Sequence, residues 1–237
     1  MGGARFLRRG EAEPAPGEAL SWVEGIELLS GDAIAIPEDI VRLADVPGCR
    51  YWQTSDGLGT GSNLHEAAIH GICELIERDA MALWSLRGDS AVAGHELARS
   101  ALGSREIDAV ERKIVAAGLR LRLFDITSNV RVPSFLAIIV PDVAPAGLAY
   151  FDVASGSGTH PVAARAALRA ITEAAQTPLT TITGSRDDVD PDDYRRSLPH
   201  DLAVYGKAAA VPAGRPPPEG YAAARSLPAI SSGWSRA

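Results

Sequence analysis

Two predicted helices carry charged side chains at spacings that place them on single helical faces. On the first helix, His70, Glu74 and Glu77 lie at i, i+4 and i+7 and therefore share one face. Carboxylates one turn apart repel each other by about 0.2–0.5 kcal/mol on an exposed helix, and a divalent cation between them removes that repulsion. Mg²⁺ prefers one or two carboxylates together with phosphate oxygens and water. The spacing fits a metal–nucleotide site, and it also fits a solvated acidic edge on which Glu74 pairs with Arg78.

The other helix carries a polar stripe formed by Arg165, Arg169, Glu173 and Gln176 at i, i+4, i+8 and i+11. The rest of this helix is mainly Ala, Leu, Ile and Thr, and small residues beside the stripe allow close packing against a neighbour. Arginine can hold a phosphate with two parallel hydrogen bonds, and Glu173 can add a third carboxylate to a metal site. The alternative is a surface ion pair between Arg169 and Glu173, which contributes about 0–1 kcal/mol.

A glycine-rich loop, residues 55–63, precedes the first of these helices. Glycines let backbone N–H groups approach a ligand, and a helix N-terminus favours an anion. The loop lacks the Lys-Ser/Thr of a Walker A motif and the spacing of a dinucleotide-binding fingerprint. It therefore fits either an anion-binding loop or a plain tight connection.

The hydrophobic pattern predicts the elements that position these side chains. Strands are expected at residues 21–29, 33–37, 119–125, 132–140 and 149–153, with a further extended segment from Trp52. Helices are expected at residues 63–86 and 105–117, and between Pro161 and Pro178, where Pro178 should end the helix. The segment Ser155–Gly158 is predicted to form a turn. Interleaved strands and helices predict an α/β or α+β fold, with a mixed sheet packed against helices.

The first helix also carries an apolar stripe beside its polar face. Its members are Ile69, Ile72, Leu75, Ile76 and Leu83. Cys73 lies next to this stripe and is interpreted as a small buried apolar residue.

Composition and charge exclude several classes of protein. The chain has 237 residues, and 23 Lys and Arg against 30 Asp and Glu give a net charge of −7. An acidic chain does not favour nonspecific binding to nucleic acid or to anionic lipid. Two cysteines form neither a disulfide framework nor a zinc motif, and no segment is apolar enough to span a membrane. These features favour a cytoplasmic protein that binds neither nucleic acid nor membrane.

Three regions are expected along the chain. Residues 1–18 are Pro/Gly-rich and are predicted to be a flexible N-terminal segment, and residues 19–190 form the main domain. Residues 191–237 are rich in Pro and Ala and are predicted to be a C-terminal tail.

These motifs, in this order, resemble the YcaO family. The resemblance is carried by six blocks of sequence: residues 54–63, Glu66-Ala67, residues 70–84, Gly156–His160, residues 168–176 and residues 184–188. The run Cys73-Glu74-Leu75-Ile76-Glu77-Arg78-Asp79-Ala80 is long and unusual, which makes the match specific.

The resemblance implies an enzyme that uses ATP and Mg²⁺ to activate backbone amides of ribosomally made peptides. The amide oxygen is phosphorylated and leaves as phosphate, and the product is a thioamide or an azoline. The residues implied in nucleotide binding are His70, Glu74, Glu77, Arg169, Glu173 and Gln176, among which Glu74, Glu77 and Glu173 are the implied metal ligands. Arg169 would contact phosphate, and some relatives carry Gln at the position of His70.

The resemblance also implies partners. The chain corresponds to the C-terminal part of the family domain, so we expect either a missing N-terminal half or a TfuA-like protein beside it. A precursor peptide is the expected substrate, and a second copy of the chain could complete a homodimer. The alternative hypothesis is a nonenzymatic partner, or a degenerate fragment of a YcaO protein, that serves as a docking subunit.

Overall fold

The computed structural model describes residues 7–8, 10–43, 49–87, 92, 94–97, 102–142, 152–182 and 205. The chain divides into two compact units, Met1–Leu58 and Gly59–Ala237. Of the predicted tail, only Tyr205 belongs to the described residues. None of the helices in that described part could span a lipid bilayer.

The first unit contains the predicted hairpin. Strands β1 (Trp22–Ile26) and β2 (Ala33–Pro37) pair antiparallel, and helix α1 (Glu38–Val41) follows. Gly31 supplies the positive φ of 78° that the connecting turn requires. The extended segment expected from Trp52 pairs with no strand among the described residues, and the preceding residue, Tyr51, forms an isolated bridge with Leu7.

The second unit consists of three helices and a three-stranded sheet. The elements are α2 (Leu64–Ser85), α3 (Arg105–Ala116), β3 (Leu119–Asp125), β4 (Ser134–Pro141), β5 (Ala154–Thr159) and α4 (Ala163–Ile182). The sheet has the order β3-β4-β5, and each neighbouring pair of strands is antiparallel. The predicted α/β fold class is confirmed, and in the described residues both sheets are antiparallel.

The central strand β4 is buried on both faces, which makes the second unit a three-layer structure. Alternate residues of β4 point to opposite faces of the sheet. Phe135, Ala137 and Ile139 pack with α3 and α4 on one side. Leu136, Ile138 and Val140 pack with Ala80 and Trp84 of α2 on the other. The sheet therefore lies between α2 and the pair α3–α4.

Strand β5 occupies the sequence for which a turn was predicted, and that prediction was wrong. Its glycines fit the close approach of α4, because a Cβ at Gly156 would lie 2.2 Å from the Ala174 nitrogen and one at Gly158 would lie 2.3 Å from the Ala166 oxygen. A strand was also expected at 149–153. This prediction was wrong for Asp152 and Val153, which precede β5 and belong to no strand. Residues 149–151 lie outside the described residues.

Helix α4 continues past Pro178 to Ile182, so the prediction that Pro178 ends the helix was wrong. Proline removes one backbone hydrogen bond from a helix. The preceding turn has additional support, since the Thr177 hydroxyl contacts the Glu173 carbonyl at 3.1 Å and the Ser155 carbonyl of β5 at 2.9 Å. Contact with the strand thus holds the helix at the point where proline weakens it.

Helix α2 begins as predicted and turns its polar face inward. The Asn63 side chain accepts a hydrogen bond from the Glu66 backbone N–H and caps the helix. The buried residues of the helix are Gly71, Cys73, Glu77, Ala80 and Trp84, which confirms the interpretation of Cys73. Most of the apolar stripe faces outward instead, with Ile72 45% and Leu75 52% exposed.

A buried ion pair lies on the α2 side of the sheet. Nε and one terminal nitrogen of Arg122 donate to the two carboxylate oxygens of Glu96. The second terminal nitrogen donates to the Tyr205 carbonyl at 2.6 Å. The Trp84 indole donates to the Tyr205 hydroxyl at 2.7 Å. These contacts link α2, β3 and Tyr205 in one buried network.

Candidate functional site

Helices α2 and α4 come together around the outer edge of β5, and Ser157 lies at the centre of their meeting point. The Ser157 hydroxyl donates to Oε1 of Glu77, on α2, at 2.7 Å. The backbone N–H of the same residue donates to Oε2 of Glu173, on α4, at 3.3 Å. One residue of β5 therefore binds two carboxylates that the sequence had placed on different helices.

The two carboxylates affect each other electrostatically. Glu77 is 7% exposed. Partial burial raises the pKa of Glu173 above its ordinary value, and the charge of Glu77 raises it further. The hydrogen bond from the Ser157 N–H opposes this rise. Glu77 is buried and Glu173 is exposed to solvent, so a divalent cation can reach the pair and remove their repulsion.

A second link between α2 and α4 joins Arg169 to His70. A terminal nitrogen of Arg169 lies 3.1 Å from Nε2 of His70. Arginine can only donate, so Nε2 of His70 is the acceptor of this hydrogen bond. On the other side of the ring, Nδ1 lies 3.2 Å from both the backbone nitrogen and the carbonyl oxygen of Thr60, and the tautomer decides which of the two it binds. His70 therefore holds the guanidinium from one side and the glycine-rich loop from the other.

Glu74 and Gln176 lie close to this arrangement along their helices. The Glu74 carboxylate forms an ion pair with Arg78 at 3.4 Å, which is the surface pairing considered from the sequence. Gln176 is exposed and follows Glu173 by one turn of α4. Among the described residues, no group of three or more His, Cys, Asp or Glu side chains is arranged to hold a metal ion. The pair Glu77 and Glu173 still fits Mg²⁺, which needs only one or two carboxylates when phosphate supplies other ligands.

The glycine-rich loop packs tightly on α2. A Cβ at Gly59 would lie 1.9 Å from the Ala67 oxygen, and one at Gly61 would lie 2.5 Å from the Ala67 nitrogen. Close packing thus explains these two glycines, and it brings the Thr60 backbone to His70.

The residue that precedes α4 by three positions also contributes to the arrangement. The Val162 backbone N–H donates to Nδ1 of His160 at 2.8 Å, which satisfies one donor near the start of α4. Burial lowers the pKa of His160, and the charge of Arg165 lowers it further. A neutral imidazole is the form that can accept this hydrogen bond.

Sequence reasoning did not identify Ser157 as a site residue. Serine between two glycines resembles a turn, and its role becomes visible only when β5 is placed between two helices. The available signal was the alternation Gly156-Ser157-Gly158, in which residues without a side chain flank one with a hydroxyl group on the opposite face.

The sequence model of the family described as YcaO cyclodehydratase, ATP- and Mg²⁺-binding, matches residues 8–226. The chain belongs to the YcaO family. This confirms the resemblance stated from the sequence motifs. The family description includes the two cofactors, ATP and Mg²⁺, that the resemblance implied.

One relative is an uncharacterized protein in the tfuA 3′ region of Rhizobium leguminosarum bv. trifolii. It is 42% identical to this YcaO chain over 182 residues, which make up 75% of this chain and 43% of the relative. A second relative, from Methanothermobacter thermautotrophicus, is 31% identical and is covered over 44% of its length. The chain thus spans less than half the length of the curated relatives it matches.

Solved structures share the fold. A heterocyclase in complex with substrate and cofactor superposes with a TM-score of 0.62 at 21% identity, over 78% of this chain and 24% of the other. YcaO from Methanopyrus kandleri, bound with AMPPCP and Mg²⁺, superposes with a TM-score of 0.55 at 24% identity, over 79% of this chain and 49% of that one.

Proposed function

We propose that this YcaO chain binds Mg²⁺–ATP at the junction of α2, β5 and α4 and takes part in activating peptide backbone amides. The observation that carries the proposal is the joint binding of Glu77 and Glu173 by Ser157, which brings carboxylates from two helices to one strand edge. A structural neighbour bound with AMPPCP and Mg²⁺, and a neighbour in complex with substrate and cofactor, support this assignment.

The chemistry requires charge neutralisation and accurate positioning. ATP supplies the phosphoryl group that converts an amide oxygen, a poor leaving group, into a good one. Phosphoryl transfer depends mainly on electrostatic stabilisation and orientation. Glu77 and Glu173 would hold the metal ion, and the guanidinium of Arg169, fixed by His70, would bind phosphate oxygens.

The other implied residues have supporting roles in this proposal. Glu74 is one turn from Glu77 and would contribute to the metal ion after releasing Arg78. Gln176 would contact the nucleotide from the next turn of α4. The product would be a thioamide or an azoline in a ribosomally made peptide, with a TfuA-like protein, an N-terminal YcaO half or a second copy of this chain as partner. The occurrence of a relative in a tfuA region supports the TfuA-like partner.

Calorimetric titration of ATP in the presence of Mg²⁺ tests the proposal. We expect Glu77→Gln and Glu173→Gln each to weaken binding by about 10-fold or more, the effect of losing one charged contact of about 1.5–3 kcal/mol. Glu106→Gln changes an exposed carboxylate on α3 and should bind as the unaltered chain does.

Equal affinity in all four proteins would contradict the assignment of the site. Binding of Mg²⁺–ATP without any hydrolysis to ADP, in the presence of the partner, would instead favour a docking subunit.

A further inference from the structure

We propose that Ser157 determines the metal preference of this site by engaging one oxygen of each carboxylate, so that the site favours Mg²⁺ over Ca²⁺. The inference rests on the proposed function, because it assigns a role to a residue beside the metal. Ser157 is a positioning residue here, acting through Glu77 and Glu173.

The two hydrogen bonds of Ser157 use different groups and different oxygens. Its hydroxyl occupies Oε1 of Glu77 at 2.7 Å, and its backbone N–H occupies Oε2 of Glu173 at 3.3 Å. A carboxylate oxygen that already accepts a hydrogen bond is a weaker metal ligand, so a metal ion would bind each carboxylate mainly through its other oxygen. In chelation by both oxygens of Glu77, the metal ion would have to share Oε1 with the Ser157 hydroxyl.

Ser157 is held firmly enough to impose this arrangement. It is buried, and it pairs with Leu136 of β4. The residues on both sides, Gly156 and Gly158, lie against the backbone of α4 with no room for a Cβ. The strand therefore cannot move toward α4 without a backbone clash, and it cannot move away from β4 without breaking its pairing.

The two cations differ in what they accept from a carboxylate. Ca²⁺ takes six to eight oxygen ligands and readily binds both oxygens of one carboxylate, whereas Mg²⁺ requires near-octahedral geometry and retains several waters. A site in which one oxygen of each carboxylate is already hydrogen-bonded suits Mg²⁺. Groups that orient metal ligands in this way commonly change metal affinity by about 10- to 100-fold when removed.

The test compares ATP affinity during titration with MgCl₂ and, separately, with CaCl₂. Ser157→Ala removes the hydroxyl, and Ser157→Cys replaces it with a weaker donor that keeps the volume filled. Ser157→Thr retains the hydroxyl. Ser155→Ala alters the neighbouring serine on the same face of β5 and is the matched control.

We expect the ratio of Mg²⁺ to Ca²⁺ affinity to fall by about 10-fold or more in Ser157→Ala and in Ser157→Cys, and to be preserved in Ser157→Thr and Ser155→Ala. A general loss of stability would lower the affinities for Mg²⁺ and Ca²⁺ together and leave their ratio unchanged. A changed ratio therefore reports metal preference, and an unchanged ratio in the Ser157 variants overturns the inference. If the unaltered chain binds ATP with either cation but the Ser157 variants keep its ratio, only this inference fails. If the unaltered chain shows no cation-dependent ATP binding, the proposed function fails, and the inference fails with it.

Discussion

Arg169 and His70 lie 99 positions apart in the chain and contact each other at 3.1 Å, which joins α4 to α2 through side chains alone. Because arginine only donates, the imidazole accepts at Nε2, and its Nδ1 faces the backbone nitrogen and carbonyl of Thr60. Any side chain at position 70 that offers one donor and one acceptor at similar positions should preserve it.

His70→Gln should therefore retain the link, because the glutamine amide can donate to the Thr60 carbonyl and accept from Arg169. His70→Ala should weaken Mg²⁺–ATP binding by roughly fivefold, which corresponds to about 1 kcal/mol for one lost hydrogen bond. Calorimetry on the two variants measures the difference. The interpretation of His70 would be wrong if Gln and Ala had the same effect.

The raised pKa of Glu173 predicts a specific dependence of stability on pH. A carboxyl group with a raised pKa keeps its proton in the folded chain at pH values where the unfolded chain has released it. Glu173 therefore lowers the free energy of unfolding as the pH rises from its ordinary pKa of 4.5 through the raised value. Glu173→Gln should remove this loss and make the chain more stable at neutral pH, relative to acidic pH, than the unaltered protein.

Denaturant unfolding at a series of pH values measures this effect. Glu106→Gln provides a control of opposite sign, because a hydrogen bond from the Ser104 side chain lowers the pKa of Glu106. That carboxylate adds stability above its ordinary pKa and loses it as the pH falls. If the free energy of unfolding changed with pH in the same way in both variants, the raised pKa of Glu173 would be contradicted.

The glycines of β5 make a prediction about packing. Gly156→Ala should destabilise the chain by about 1–3 kcal/mol or more, because the added methyl group meets the backbone of α4 rather than a flexible side chain. Gly94→Ala is the matched control, since a Cβ at that position has no heavy atom within 4 Å. Thermal denaturation of the two variants measures the difference. Equal midpoint temperatures for Gly156→Ala and Gly94→Ala would show that α4 does not pack on β5 as described.

The orientation of α2 makes a prediction that separates its two faces. Leu75→Ser lies on the exposed face and should change the free energy of unfolding by no more than about 0.5 kcal/mol. Trp84→Ala removes a buried ring and its hydrogen bond to Tyr205, and should cost about 3–5 kcal/mol. Denaturant titration distinguishes these values. A large loss from Leu75→Ser would mean that the outward face of α2 is covered in the folded protein.

The sequence predicted local features well where one signal dominated. Helix α2 begins after Asn63, as its cap indicated, and α3 ends at Ala116 before a glycine with φ of 74°. Helical spacing also placed His70 and Glu77 on a common face. These features depend on residues within one or two turns of each other, which a linear pattern records.

Features that depend on distant contacts could not be predicted. Ser155–Gly158 has the local chemistry of a turn, and only the closeness of α4 explains why its glycines form a strand. The aliphatic residues of α2 suggested a packing face, but the buried face contains Glu77. The cost of burying this carboxylate is offset by a hydrogen bond from the Ser157 hydroxyl, 80 positions away. The i, i+4 spacing indicated that Glu74 can pair with Arg78, but it could not show that Glu77, one turn further along, is buried.

The outer edge of β5 has one further consequence. Side chains of α4 form hydrogen bonds with both kinds of backbone group at this edge. Glu173 accepts a hydrogen bond from the Ser157 N–H, and the Thr177 hydroxyl donates one to the Ser155 carbonyl. An exposed strand edge is a template on which another chain can add a strand and start aggregation. In the part of the sheet that the structure describes, α4 thus binds one donor and one acceptor that an incoming strand would need, so the carboxylate proposed to hold the metal ion also makes this edge less available for strand addition.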